Sequence, residues 1–187
     1  MFNRSLLLDL YELTMSASLG EHKVKLEATF DLFVRRLPQD RSFLIACGLE
    51  NALKFLEEFS FTGQDIDYLR KKGIFKDNFL DYLKTVKFRG TVYGLPEGTV
   101  FFPNEPILRV TAPIQEAQLV ESYLLNTFNI ASTICSKSAR VVLSAQGRGV
   151  YDFSLRRTQG LDAAITASRS SYIAGCAGTS NVLAGFL

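Results

Sequence analysis

The sequence predicts a mixed α/β fold whose final stretch opens a β/α unit. Three observations carry this: apolar stripes at helical spacing, a run of short β-prone segments cut by Pro and Gly, and a strand–loop–helix–helix pattern after residue 149.

The elements follow in order. From Ser5 to Leu19, the residues Leu6, Leu10, Leu13 and Ala17 fall on one helical stripe, with Asn3 or Ser5 as N-cap and Gly20 as a stop. Glu27–Arg35 is β-branched and aromatic and ends at Pro38, so it reads as a strand. Ile45, Leu49, Ala52 and Leu56 share a face of a helix over 42–59, and two short helices follow over 64–71 and 76–85. Strands are expected at 88–93, 99–102 and 107–110, separated by Pro/Gly turns. Pro113 suits a first helical turn, and Ala117, Val120, Leu124, Phe128 and Ala131 form the stripe of a long helix reaching about residue 146, bent near 129–132. A short buried strand at 149–153, a polar loop to Gly160, a helix over 161–174 and a hydroxyl-capped helix starting at 179–181 complete the chain. The domain reading is an N-terminal α/β domain over 1–112, a connecting helix over 113–148 and a β/α domain beginning at 149–187. A single β/α unit cannot bury both faces of its strand without further parallel strands, and no repeat supplies them, so the chain reads as truncated.

Composition narrows the function. With 47% hydrophobic residues over 187 positions, the chain can bury a substantial core. Its 21 Lys+Arg against 19 Asp+Glu leave no net basic field for nucleic acid or anionic lipid, so any anion must be held by a local site. Cys47, Cys135 and Cys176 are far apart, without metal spacing, and read as reduced buried thiols. No signal-like or membrane-length apolar run occurs, so a cytoplasmic protein without a membrane partner is expected, and the Asn3-Arg4-Ser5 sequon is read as chance.

The segment from Tyr151 to Gly160 is the most informative. Arg156 and Arg157 follow a strand end, where β/α folds bind ligands, and guanidinium groups grip phosphate or carboxylate bidentately. A solvated arginine pair on a surface loop is the alternative, and the residues alone leave both open. Gly175-Cys176-Ala177-Gly178-Thr179-Ser180-Asn181 offers small residues and hydroxyls before a helix, fitting an anion cradle or a plain cap; it is not a P-loop. Arg35, Arg36, Lys137 and Arg140 are anion contacts or surface charges. Tyr11 reads as core or interface, His22 as a solvated turn residue, and Glu116 and Glu121, five apart, do not form a carboxylate pair. No metal site is expected.

Taken in order, Leu8–Met15, Phe30–Pro38, Phe43–Glu50, Pro96–Pro106, Phe153–Gly160, Ala167–Cys176 and Gly178–Gly185 resemble the nicotinate phosphoribosyltransferase family. The resemblance implies a type II phosphoribosyltransferase: an α/β N-terminal domain, then an incomplete β/α barrel, in a homodimer with shared active sites. It implies nicotinate and phosphoribosyl pyrophosphate as substrates, nicotinate mononucleotide and pyrophosphate as products in NAD salvage, ATP coupling, and Mg²⁺. Phe153 would stack on the pyridine ring, and Tyr11 of the partner subunit would cover its other face. Arg156 would hold phosphate or the nicotinate carboxylate, and Arg35 of the partner subunit would approach the pyrophosphate, with Arg157, Lys137 and Arg140 as further phosphate contacts. Thr179 and Ser180 would border the substrate. Ser180 stands where related nicotinamide enzymes place an aspartate, which favours an acid substrate. Ser154 replaces a common family glycine, and the family's phosphorylated histidine lies beyond residue 187, so no catalytic residue is assigned in this chain. A sister enzyme acting on nicotinamide or quinolinate, and a non-catalytic interaction module of the same fold, are the alternatives.

Overall fold

The computed structural model describes residues 4–37, 39 and 41–187, so the expected Asn3 cap and the Pro38 strand end lie outside the described residues. In chain order the elements begin with α1 (Leu10–Glu21), β1 (Glu27–Leu32), β2 (Leu44–Ile45), α2 (Leu49–Glu58), α3 (Gly63–Lys72) and α4 (Asp77–Thr85). They continue with β3 (Thr91–Gly94), β4 (Val100–Phe101), β5 (Leu108–Pro113), α5 (Ile114–Leu119) and α6 (Glu121–Ser144). The last are β6 (Tyr151–Asp152), α7 (Leu161–Ile173), β7 (Gly178–Thr179) and α8 (Val182–Phe186), with 3-10 turns at Arg4–Leu6 and Leu155–Arg157.

Two compact units are built from non-consecutive segments. The first comprises the segment ending at Leu32, Glu50–Tyr93 and Leu108–Leu125; the second comprises Phe33–Leu49, Gly94–Ile107 and Asn126–Leu187.

In the first unit, β5 lies between β1 and β3, and β1 pairs antiparallel with β5 from Glu27↔Pro113 to Leu32↔Leu108. The strand therefore stops at Leu32 instead of reaching Arg35. Its partner begins at Leu108, just after Pro106, which has no N–H to offer a ladder. The Ala117, Val120 and Leu124 stripe is buried as expected, but the helical run breaks at Val120 and then continues without interruption through 129–132. Pro113 closes β5 and caps α5 instead of sitting within the helix. The two short helices form as the spacing predicts, and α3 is opened by a capping box in which Thr62 and Asp65 exchange bonds.

The first helix corrects the sequence reading. It starts after Asp9, runs past Gly20 to Glu21, and buries Glu12, Leu13 and Ser16, whereas Leu10 is 57% exposed. Glu12 turns inward because its Oε1 accepts from the Ser122 backbone N–H at 2.8 Å and the Ser122 hydroxyl at 2.7 Å. These bonds satisfy a donor at the start of α6 that would otherwise be orphaned.

In the second unit, β2 and β4 pair antiparallel where the sequence predicts the first turns of a helix. Gly48 explains the difference. It sits at φ +110, outside helical space, and a Cβ there would lie 3.1 Å from the Thr127 carbonyl oxygen, so the helix begins only at Leu49. The far edge of β2 is closed by hydroxyls of α6. Ser136 Oγ accepts from the Ile45 N–H at 2.8 Å, and Ser132 Oγ accepts from the Cys47 N–H at 3.1 Å. Ser132 and Ser136 lie one helical turn apart, so one face of α6 stands in for a missing strand. Ile45, Cys47, Ala131, Cys135 and Ala139 pack there, and all three cysteines are free and buried, as expected. Among the described residues no helix is long and apolar enough to cross a membrane.

Candidate functional site at the ends of two parallel strands

The site grows from one short pairing in the second unit. β6 and β7 run parallel with Tyr151↔Gly178 and Asp152↔Thr179, flanked by bonds from Ala177 N–H to the Val150 carbonyl (2.7 Å) and from Ser180 N–H to the Asp152 carbonyl (2.8 Å). Phe153 and Ser180 therefore emerge side by side past the carboxyl ends of neighbouring parallel strands, the position at which β/α folds bind ligands. The turn carrying Arg156 and Arg157 follows at once.

The strand is short, as expected, but it is two-faced where a buried one was expected: Tyr151 and Phe153 are exposed and Asp152 is buried. Asp152 is tolerated there because donors surround it. Its Oδ1 accepts from the Ser154 N–H at 2.9 Å, and its Oδ2 accepts from Ser168 Oγ at 2.7 Å and Thr179 Oγ1 at 2.9 Å. Burial pushes the carboxyl upward, but the bonds from Ser154, Ser168 and Thr179 outweigh it and hold Asp152 below the ordinary carboxylate range. Thr179 thus turns its hydroxyl to a carboxylate while accepting from the Asn181 N–H at 3.0 Å. The cap of α8 is accordingly the Asn181 side-chain oxygen, bound by the Ala184 N–H at 3.3 Å, and not the expected hydroxyl.

A second carboxylate steadies the same unit. Glu97 receives Arg169 Nη1 and Nη2 at 2.9 and 2.7 Å and the Gly48 N–H at 2.6 Å. Burial raises it, but the Arg169 and Gly48 bonds prevail and keep it below its ordinary range.

The other candidate residues distribute as follows. Arg35, Lys137, Arg140, Arg156 and Arg157 are all exposed and belong to the second unit. Arg35 lies in the loop after β1, Lys137 and Arg140 on one exposed face of α6, and Ser180 is exposed beside the half-buried Thr179. Tyr11 belongs to the first unit, on α1, and is 44% exposed. Partial burial and then the negative charge of Glu121 push Tyr11 up to about 12, so it stays a donor at neutral pH. Glu116 is far from a catalytic role: it is buried and grips Arg89 through the backbone N–H, Nε and Nη2 at 2.8, 3.0 and 2.7 Å. His22 is exposed at the end of α1, with Nδ1 2.9 Å from the Ser18 carbonyl. Sequence reasoning missed Asp152, Ser168 and the Glu97–Arg169 pair. The Asp152-Phe153-Ser154 tripeptide, an Asp two residues before a backbone donor, is the signal that could have marked the first.

The fold has a solved counterpart. A solved nicotinate-nucleotide pyrophosphorylase from Pyrococcus furiosus matches 97% of this chain and 39% of its own, with a TM-score of 0.78 at 24% identity, a likeness of fold alone. The family comes from the sequence: a model of the nicotinate phosphoribosyltransferase (NAPRTase) N-terminal domain matches residues 6–129, and this chain belongs to that family. It is 50% identical over 180 residues to nicotinate phosphoribosyltransferase pncB2 of Mycobacterium tuberculosis, covering 96% of this chain and 39% of the relative. It is 40% identical to the Bacillus subtilis nicotinate phosphoribosyltransferase, covering 97% and 37%. The crystal structure of human nicotinic acid phosphoribosyltransferase superposes with a TM-score of 0.87 at 35% identity, over 96% and 37% of the two chains. The chain thus spans less than two-fifths of the length of these relatives.

Proposed function

We propose that the protein carrying this chain is a nicotinate phosphoribosyltransferase, which forms nicotinate mononucleotide and pyrophosphate from nicotinate and phosphoribosyl pyrophosphate. The observation that carries the reading is the juxtaposition of Phe153 and Ser180 at adjoining strand ends, with Arg156 on the following turn. An exposed aromatic face suits a flat ring, and an uncharged hydroxyl beside it does not repel a carboxylate. A nicotinamide enzyme would gain from an acceptor at position 180, and a serine is a poorer one than an aspartate.

In this reading the pyridine nitrogen bonds to ribose C1 as the C1–oxygen bond breaks and pyrophosphate leaves with the electron pair, through an oxocarbenium-like transition state. The residues of this chain contribute position and charge: Phe153 and Ser180 orient the ring, and Arg156 with Arg157, Arg35, Lys137 and Arg140 stabilises anionic oxygens. Tyr11 covers the ring from the partner in a homodimer. Residues 149–187 open the barrel domain, and the protein works in the cytoplasm, in NAD salvage with ATP coupling. Mg²⁺ suits such a reaction as a companion of the pyrophosphate oxygens. This chain does not fit it as a cage: among the described residues no group of three His, Cys, Asp or Glu side chains is placed to hold a metal, and both Asp152 oxygens are engaged by donors.

The test is product formation by the full-length protein, followed by chromatography and mass. Nicotinate mononucleotide from nicotinate, with little product from nicotinamide or quinolinate, is the expected outcome; preference for either of the others overturns the reading.

A further inference from the structure

Phe153 is 65% exposed, so packing does not fix its ring. Its backbone does. The Asp152 carboxylate reaches over Phe153 to the Ser154 N–H, an Asx turn enclosing that residue. The turn is itself clamped, because the same carboxylate receives Ser168 from α7 and Thr179 from β7. Thr179 leads directly to Ser180, whose N–H binds the Asp152 carbonyl. One side chain therefore connects the turn bearing Phe153, the helix behind it and the strand end bearing Ser180. Four donors converge on this one residue, and an aromatic left to solvent on a free turn would sample several orientations, at an entropic cost on every binding event.

We propose that Asp152 is the positioning residue of the nicotinate site: it touches no substrate, and it acts by fixing Phe153, and secondarily the Ser180 edge, in the orientation that receives the ring. This rests on the functional reading above. It predicts that the contributions of Asp152 and Phe153 to nicotinate use are not independent.

The experiment is a double-mutant cycle in the full-length protein, reading kcat/KM for nicotinate and KM for phosphoribosyl pyrophosphate. Asp152→Ala is expected to lower kcat/KM for nicotinate at least tenfold, chiefly through KM, with KM for phosphoribosyl pyrophosphate within threefold of wild type. In a Phe153→Ala background the same change is expected to cost less than twofold more. Asp152→Asn, whose side-chain oxygen can still accept from Ser154, is expected to recover most of the loss. Should Asp152→Ala fail to fold, judged by its thermal transition, Ser168→Ala removes one clamp alone and is expected to give a smaller loss that also vanishes in the Phe153→Ala background. Additive losses in the cycle, or an unaltered nicotinate KM in both Asp152→Ala and Ser168→Ala, overturn the assignment while leaving the functional reading standing. A wild-type protein that makes no nicotinate mononucleotide overturns both.

Discussion

The two units spend carboxylates alike and differ in what stands at their strand ends. In the first, carboxylates are spent on internal ties: Glu12 on the Ser122 N–H and hydroxyl, Glu116 on Arg89, and Asp31 on Arg109 across the β1–β5 pair at 2.7 and 2.9 Å. In the second, the carboxylates Asp152 and Glu97 are likewise turned inward, and the exposed Arg156 and Arg157 follow directly on the end of β6. A charge ringed by donors holds a backbone, and one exposed past a strand end stands where β/α folds bind ligands. The distinction lies in the partners of each side chain and not in its type.

The sharpest way to break that contrast is to add a carboxylate at the strand end. Ser180→Asp in the full-length protein is expected to lower kcat/KM for nicotinate while sparing nicotinamide. Like charges about 4–5 Å apart at an effective dielectric near 20 repel by roughly 3–4 kcal/mol. Steady-state kinetics with both substrates measure the ratio; a change under about threefold makes Ser180 a mere turn residue. Next, Arg156→Ala is expected to cost about 2–4 kcal/mol of transition-state stabilisation with the melting temperature nearly unchanged. Near-wild-type turnover would remove Arg156 from the site.

The first unit should respond in the reverse sense. Glu116→Ala leaves the Arg89 backbone N–H without its acceptor and is expected to reduce stability by about 2 kcal/mol, seen in urea unfolding, with turnover preserved in the protein that remains folded. The smallest effect concerns Glu12. Burial pushes this carboxyl above its ordinary value, outweighing the Ser122 bonds, so the folded state holds its proton to higher pH than the unfolded chain does. Between about pH 4.3 and the raised value, stability therefore falls as pH rises, because the native state binds more protons there. Glu12→Gln should remove that part of the slope in unfolding curves taken across pH. An unchanged slope would place the titration elsewhere.

How much of this was legible depended on where the determinants lay. Local signals were read directly: the two short helices over 64–71 and 76–85, and the 3.6-residue stripe through Val120, Leu124 and Phe128. Features decided by distant partners were not. The register of β1 is set by where β5 begins, and β2 exists because hydroxyls of α6, some 85 to 91 positions away, meet its backbone. Likewise the inward turn of Glu12 rests on donors of Ser122, 110 positions away. At the site, Phe153, Arg156 and Ser180 were visible as residue types in the right order. Asp152 was not, because an aspartate between two aromatics gives no hint that Ser168 and Thr179 will converge on it.

The central claim is that the nicotinate ring lies where β6 and β7 end together. The most direct measurement is a crystal structure of the full-length protein with nicotinate. The expected result is a pyridine ring stacked on Phe153, with its carboxylate on the Ser180 side and within reach of Arg156. A ring bound away from Phe153, with the strand ends empty, would contradict it.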